Sequence, residues 1–153
     1  MKESKRTGLG IDIMVNLKLA NKKLKKLEKY IKNLQKHEGT DKSELENNLD
    51  KMWAIERGLQ LSIQVILDLG NHIISDEGIS VDNYSEIFTE LAKLNIIPED
   101  YAARIKGMAG FRNILVHEYA EVDLDILLEV LNNNLADFKK FATYIGNYLN
   151  QQK

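Results

Sequence analysis

Apolar residues recur along this chain at spacings of three and four almost from end to end, and nowhere do they alternate with period two over a useful length. From Ile11 to Gln35 they fall at Ile13, Leu17, Ala20, Leu24, Leu27, Ile31 and Leu34, the alternation that lines one face of an α-helix. The stripe is narrow, which suits a seam against an antiparallel neighbour or a second chain. His37-Glu38-Gly39-Thr40 closes the helix, with glycine as terminator. Asp41 or Ser43 can cap a second helix, apolar at Leu45, Leu49, Met52, Trp53, Leu59, Ile63, Ile66 and Leu67 and running to about Ser75. Its second half is apolar on more than one side and so reads as central. Residues 76–80 form a turn, and a short helix from about Asn83 to Leu94 follows, with Tyr84, Ile87, Phe88 and Leu91 on one side. Asn95-Ile96-Ile97 stops it, and Pro98 opens the next helix, where a missing N–H costs nothing. Asp123 or Asp125 caps the last helix, apolar at Leu127, Leu128, Leu131, Leu135, Phe138, Phe141, Ala142 and Ile145. The pattern predicts an all-α fold, an antiparallel bundle of four long helices with one short helix inserted, and neither an internal repeat nor a second domain.

At 153 residues the chain is long enough for one domain with a real core. Residues 11–153 read as that helical domain, and Met1 to Gly10, basic and without a following apolar run, as a disordered lead. With one proline and no cysteine, neither disulfides nor thiolate metal sites are available. The most apolar segment, Leu59 to Ile74, is broken by Gln60, Gln64, Asp68 and Asn71, so no membrane span is expected and the cytoplasm is the expected compartment. A net charge of −2 hides an asymmetry: residues 1–36 hold eleven Lys and Arg against three acidic residues, the remainder ten against twenty. The lysines from Lys18 to Lys36 are able to attract a phosphate backbone. A solvated helix face is the simpler account, because no aromatics are interleaved for base stacking.

Chemistry concentrates in Gly110-Phe111-Arg112-Asn113-Ile114-Leu115-Val116-His117-Glu118-Tyr119. On a helix Asn113 and His117 share a face, while Arg112 sits about 140° round from His117, a gap that an arginine stem can bridge. Gly107 and Gly110 weaken the helix just before it and allow a kink or a close helix approach. Tyr119 stands near the rim. Upstream, the spacing-four pairs Glu56/Gln60, Gln64/Asp68 and Asp68/His72 need partners on a mostly buried helix. Either Asp68 and His72 pair with each other, or Asn71 and His72 line the groove that holds His117. His37, His72 and His117 lie far apart with no metal-ligand spacing, and Gly8-Leu9-Gly10 lacks the rest of a phosphate loop, so no metal and no cofactor are expected.

What remains is one imidazole beside one guanidinium, a pair suited to metal-independent RNA cleavage. A base takes the proton of a 2′-hydroxyl, which attacks the neighbouring phosphate, and a planar cation steadies the charge gathering on the phosphorane. One histidine serves poorly as both base and acid in a turnover, and a symmetric dimer would bring two into one cleft. The residue types alone also allow Arg112 paired with Glu118 and His117 as a satisfied interhelical histidine.

Arg112-Asn113-x-x-x-His117-x-Tyr119, with Met108 to Phe111 before it and Glu118 to Asp123 after it, resembles the signature of the HEPN superfamily, in particular its HepT-like toxin branch. Trp53 to Gln60 and Leu67 to Ile73 resemble that branch too, so the likeness covers most of the chain after the first dozen residues. The resemblance implies a homodimeric ribonuclease toxin with its active site at the interface. Arg112 and His117 would carry cleavage, supported by Asn113. It also implies a partner, a minimal nucleotidyltransferase antitoxin that adenylylates Tyr119. The attached AMP would block RNA by bulk and negative charge. A rival of another class is a non-catalytic helical module that binds nucleotide or docks onto a nucleotidyltransferase.

Overall fold

The leucine stripe folds as α1 (Gly10–Gln35) in the computed structural model, which describes residues 10–115 and 122–152. Ala20, Leu24, Leu27, Ile31 and Leu34 are buried, and Lys18, Lys22, Lys25, Lys26, Lys29, Lys32 and Lys36 stand exposed. The basic excess is therefore the solvent face of the first helix. Gly39, at φ +86°, takes the left-handed turn that leaves it, a conformation side chains resist. Its N–H donates to Asn132 Oδ1 at 2.8 Å, tying this turn to the far end of the chain.

The helix expected from about residue 43 to 75 is two helices, α2 (Lys42–Asn47) and α3 (Leu49–Asp76). Asp41 caps α2 by accepting from Glu44 N at 2.8 Å, and Asn48 caps α3 by accepting from Lys51 N at 3.0 Å. Asn48 breaks the run because its short amide offers the backbone a cap in place of the next helical turn. The break changes which side chains reach the core. Leu45 is buried, whereas Leu49 and Trp53 are 54% and 58% exposed, although both fit the apolar pattern.

Beyond that point α3 is central, with Ile55, Leu59, Ile63, Ile66, Leu67, Leu69, Ile73 and Ile74 buried. The one buried hydroxyl among them, Ser62, donates to Gly58 O at 2.8 Å and so carries no unmet hydrogen bond. α1 and α3 run antiparallel: Asn16 Nδ2 donates to Asp76 Oδ1 at 3.3 Å at one end, and Leu34 lies on Gly58 at the other. A Cβ at Gly70 would stand 2.6 Å from Ile87 Cγ2, so glycine is what lets α4 (Ser85–Lys93) settle onto α3. The turn out of α3 uses Gly78 at φ +78°, with Ile79 N donating to Ile74 O at 3.0 Å. Asn95 at φ 60° ends α4 the same way, and Ile96 N donates to Leu91 O at 3.0 Å.

The helix begun after Pro98 is interrupted as well. α5 (Glu99–Ile105) and α6 (Gly107–Leu115) meet at Lys106, where Ala109 N reaches back only to Lys106 O, at 3.2 Å. α5 is anchored by Tyr101, buried, whose hydroxyl donates to Asp137 O at 2.6 Å. The last segment comprises α7 (Leu124–Glu129), capped by Asp123, a π-helical turn at Val130–Asn134, and α8 (Leu135–Gln151). Leu127, Leu131 and Leu135 fall four apart, a spacing that drifts round an α-helix, and the wider π turn keeps all three buried along with Phe138. It also points Asn132 at the α1–α2 turn. Among the described residues there is no strand, and no helix is long and apolar enough to cross a membrane.

Candidate functional site

α6 lies against α3 and α4, and its last turn carries Arg112, which is half-buried. Arg112 Nε donates to Gln64 Oε1 at 2.9 Å, and the guanidinium stacks over the Tyr84 ring with its carbon 4.9 Å from the centroid. Gln64 Nε2 in turn donates to Asp68 Oδ1 at 2.8 Å. Arginine only donates and an ionised carboxylate only accepts, so the amide between them has one workable orientation. The chain Asp68–Gln64–Arg112 is thus a directed relay along one face of α3. It fixes the guanidinium plane from the Nε side, and the tyrosine fixes its tilt. The two terminal nitrogens make no hydrogen bond to a described residue. They form the half of the fork that binds a phosphate or carboxylate by two parallel contacts.

Beside this arginine is an open groove of about 660 Å³, walled by Asn71 of α3, residues 81–85 and Ile87, and by Ala109 and Gly110 of α6. The loop at its edge is held by its own bonds. Asn83 Oδ1 accepts from Glu86 N at 3.2 Å and from Ser85 Oγ at 2.6 Å, and Asn83 Nδ2 donates to Glu86 Oε1 at 3.1 Å. Tyr84 projects from this loop and is 42% exposed even with Arg112 on its ring.

Of the residues singled out in the sequence, Arg112 is on this site, and Asn113 follows it on α6. His117 and Tyr119 lie outside the described residues, as does Glu118. Asn71 lines the groove. His72 is turned instead toward the α1 side of α3, its Nε2 buried 3.6 Å from Asp76 Oδ2, too far for a hydrogen bond. The expected pairing of Asp68 with His72 is therefore replaced by two others, Gln64 with Asp68 and His72 with Asp76. The reason is geometric: Gln64 and Asp76 each sit one turn from their partner, and Arg112 recruits Gln64 from the side. His37 sits in the α1–α2 turn, where burial, then the charges of Lys51 and Lys36, push its pKa below the ordinary value. Glu56 is raised by burial, and Gln60 accepts from Arg57 Nη1 at 3.0 Å. Among the described residues no group of His, Asp and Glu gathers as a metal ion would need. Gln64 and Tyr84 were not legible as arginine partners. The only trace of them was a polar pair on a buried helix and an aromatic at the start of a short one.

Residues 23–145 match the family described as Ribonuclease HepT-like. The chain is 31% identical over 135 residues to the mRNA nuclease HepT of Shewanella oneidensis, covering 88% of this chain and 96% of that protein. It is 30% identical over 129 residues to the tRNA nuclease HepT of Aphanizomenon flos-aquae, covering 83% and 87%. Its fold is similar to that of a tri-AMPylated Shewanella oneidensis HEPN toxin solved in complex with an MNT antitoxin. There the TM-score is 0.72 at 29% identity, over 84% of this chain and 96% of that one.

Proposed function

The chain belongs to the HepT-like ribonuclease family, and from that premise we propose that it is a metal-independent endoribonuclease, the toxin of a pair whose antitoxin is a nucleotidyltransferase. His117 takes the proton from an RNA 2′-hydroxyl, the 2′-oxygen bonds to the adjacent phosphorus, and the bond to the 5′-oxygen breaks. The leaving oxygen takes a proton from a second imidazole, which a homodimer supplies as the other copy of His117. The products are a 2′,3′-cyclic phosphate and a 5′-hydroxyl. Arg112 holds the phosphorane oxygens through its terminal nitrogens, and Asn113, one residue on, supports His117 or the phosphate. The observation that supports this reading most is the preset guanidinium. Nε is committed to Gln64 and the plane to Tyr84, so no described residue occupies the phosphate-binding half. RNA and the lack of cysteine both fit the cytoplasm.

The test is cleavage of single-stranded RNA in the presence of a chelator. Cyclic phosphate ends and intact DNA are the expected result, since DNA lacks the attacking hydroxyl. Products ending in a 3′-hydroxyl, or activity that vanishes with the chelator, would sink the mechanism.

Gln64 acts here as a positioning residue. Gln64→Leu should lower kcat roughly ten- to a hundredfold while KM moves less, because a misaimed guanidinium costs most where charge develops. The double variant Gln64→Glu, Asp68→Asn keeps an acceptor for Arg112 Nε and a donor–acceptor contact between residues 64 and 68. It should recover much of the loss, which a merely structural role would not predict. Equal losses in both variants would remove Gln64 from the account.

Tyr119 is the proposed point of neutralisation. With the partner nucleotidyltransferase and ATP, the protein should gain the mass of one or more AMP groups and lose nuclease activity. Tyr119→Phe should stay unmodified there and active. AMP appearing only at other residues would reassign the modification site.

A further inference from the structure

The groove beside Arg112 carries one formal charge on its described walls, the carboxylate of Asp82. A phosphate would be repelled there and drawn along α6 to the arginine, two residues beyond Gly110. What the walls offer is chemistry for a flat ring. Tyr84 presents exposed aromatic surface, and the Asn71 amide is exposed. The Asp82 carboxylate accepts no hydrogen bond from a described residue, its own N–H being the group engaged, to Glu86 Oε2 at 3.1 Å.

Gly110 on the opposite wall adds an independent argument. It sits inside α6, where glycine is about 1 kcal/mol worse than alanine. Its φ is not left-handed, and a Cβ added there would meet nothing within 4 Å. Contrast Gly58 and Gly70, where a Cβ would run into Leu34 and Ile87. Gly107, beside the break at Lys106, is as open but lies outside this groove, whereas at residue 110 inside the groove no described contact needs a bare backbone. A ligand lying flat against α6 does.

We propose that this groove is a nucleobase subsite next to the scissile phosphate, with Tyr84 as stacking platform and Asp82 as reader of the base edge. A carboxylate accepts twice in one plane, and guanine alone among the four bases offers two adjacent donors, N1–H and the N2 amino group, on its pairing edge. The subsite favours guanine, then adenine and cytosine, whose one donor stands beside a single ring-nitrogen acceptor, then uracil, whose N3–H stands between two carbonyls that repel the carboxylate. This deepens the ribonuclease reading and rests on it for the position of the phosphate.

Binding of short single-stranded RNAs to the His117→Ala protein, followed by fluorescence anisotropy, separates the two. Oligomers with guanine should bind about tenfold tighter than those with uracil, Asp82→Asn should erase that preference, and Tyr84→Ala should weaken all four. Gly110→Ala should raise the melting temperature yet weaken RNA binding at least several-fold. Active wild-type protein with no base preference and no response to Asp82→Asn or Gly110→Ala would overturn the subsite and leave the nuclease intact. Base-selective binding by a wild-type protein that cuts no RNA would sink the nuclease and keep the subsite. Two further results would also overturn it. One is loss of the dimer by light scattering on Gly110→Ala, which would give the groove to a second copy. The other is displacement of RNA by guanosine monophosphate at equal affinity, which would give it to a free nucleotide.

Discussion

His117→Ala should abolish RNA cleavage, with single-turnover rates falling by about 10²- to 10⁴-fold, the usual worth of a positioned acid–base group. Arg112→Ala should lose a comparable factor, because removing one preset donor to a developing oxyanion costs about 10²- to 10³-fold. Arg112→Lys should recover little. Lysine keeps the charge but has no Nε to bond Gln64, no plane to lie on Tyr84 and no paired nitrogens for the phosphate. Helicity by circular dichroism should be unchanged in all three. A mixing experiment then addresses the dimer. If both copies of His117 are needed, an equimolar blend of wild-type and His117→Ala chains, equilibrated to random pairing, should keep only about a quarter of the wild-type rate, since only that share of dimers has two imidazoles. A rate near three quarters would mean that one histidine per dimer suffices, a rate near one half that the two act independently, and cleavage that survives His117→Ala would end the assignment.

The helices and their ends were legible because they rest on local signals. Gly39, Gly78 and Asn95 sit where the chain needs a positive φ, and Asp41 and Asp123 accept from the first N–H groups of the helices they open. The break at Lys106 was foreshadowed by Gly107, which weakens the helix there, but the other two were not legible, because each is decided by competition with something distant or nearly balanced. Asn48 favours a cap, but so does Asn47 beside it, and only the inward turn of Leu45 decides where the run breaks, while the π turn at Val130–Asn134 answers a phase error spread over three turns. The site divides the same way. Arg112 was conspicuous by residue type. Its partners come from α3 and the loop before α4, 48 residues back in the case of Gln64, and a spacing-four rule pairs Gln64 with Asp68 but knows nothing of the third member. His72 shows the converse failure. Two carboxylates stand four residues from it, Asp68 before and Asp76 after, and only packing against α1 decides between them.

Phe88→Ala should be among the most damaging single changes to stability, and Trp53→Ala among the mildest, although tryptophan is the larger side chain. Phe88 is fully buried and meets Phe141 edge-on, with ring centroids 6.2 Å apart and planes at 81°. Its removal forfeits the transfer of a whole ring, the edge-on contact with Phe141 and the packing around the cavity left behind. The expected cost is about 3–5 kcal/mol, or a drop of roughly 6–20 °C in Tm for a chain of this length. Trp53 is 58% exposed, so its truncation should stay within about 0.5 kcal/mol. Urea denaturation of both variants, read at equal slope, measures the contrast. The Phe88 loss should also carry into function, because α4 holds the loop from which Tyr84 reaches Arg112. Below the melting transition, Phe88→Ala should therefore raise KM for RNA more than Trp53→Ala does. Equal stability loss in the two variants would mean that the exposed face of α3 is covered by another chain.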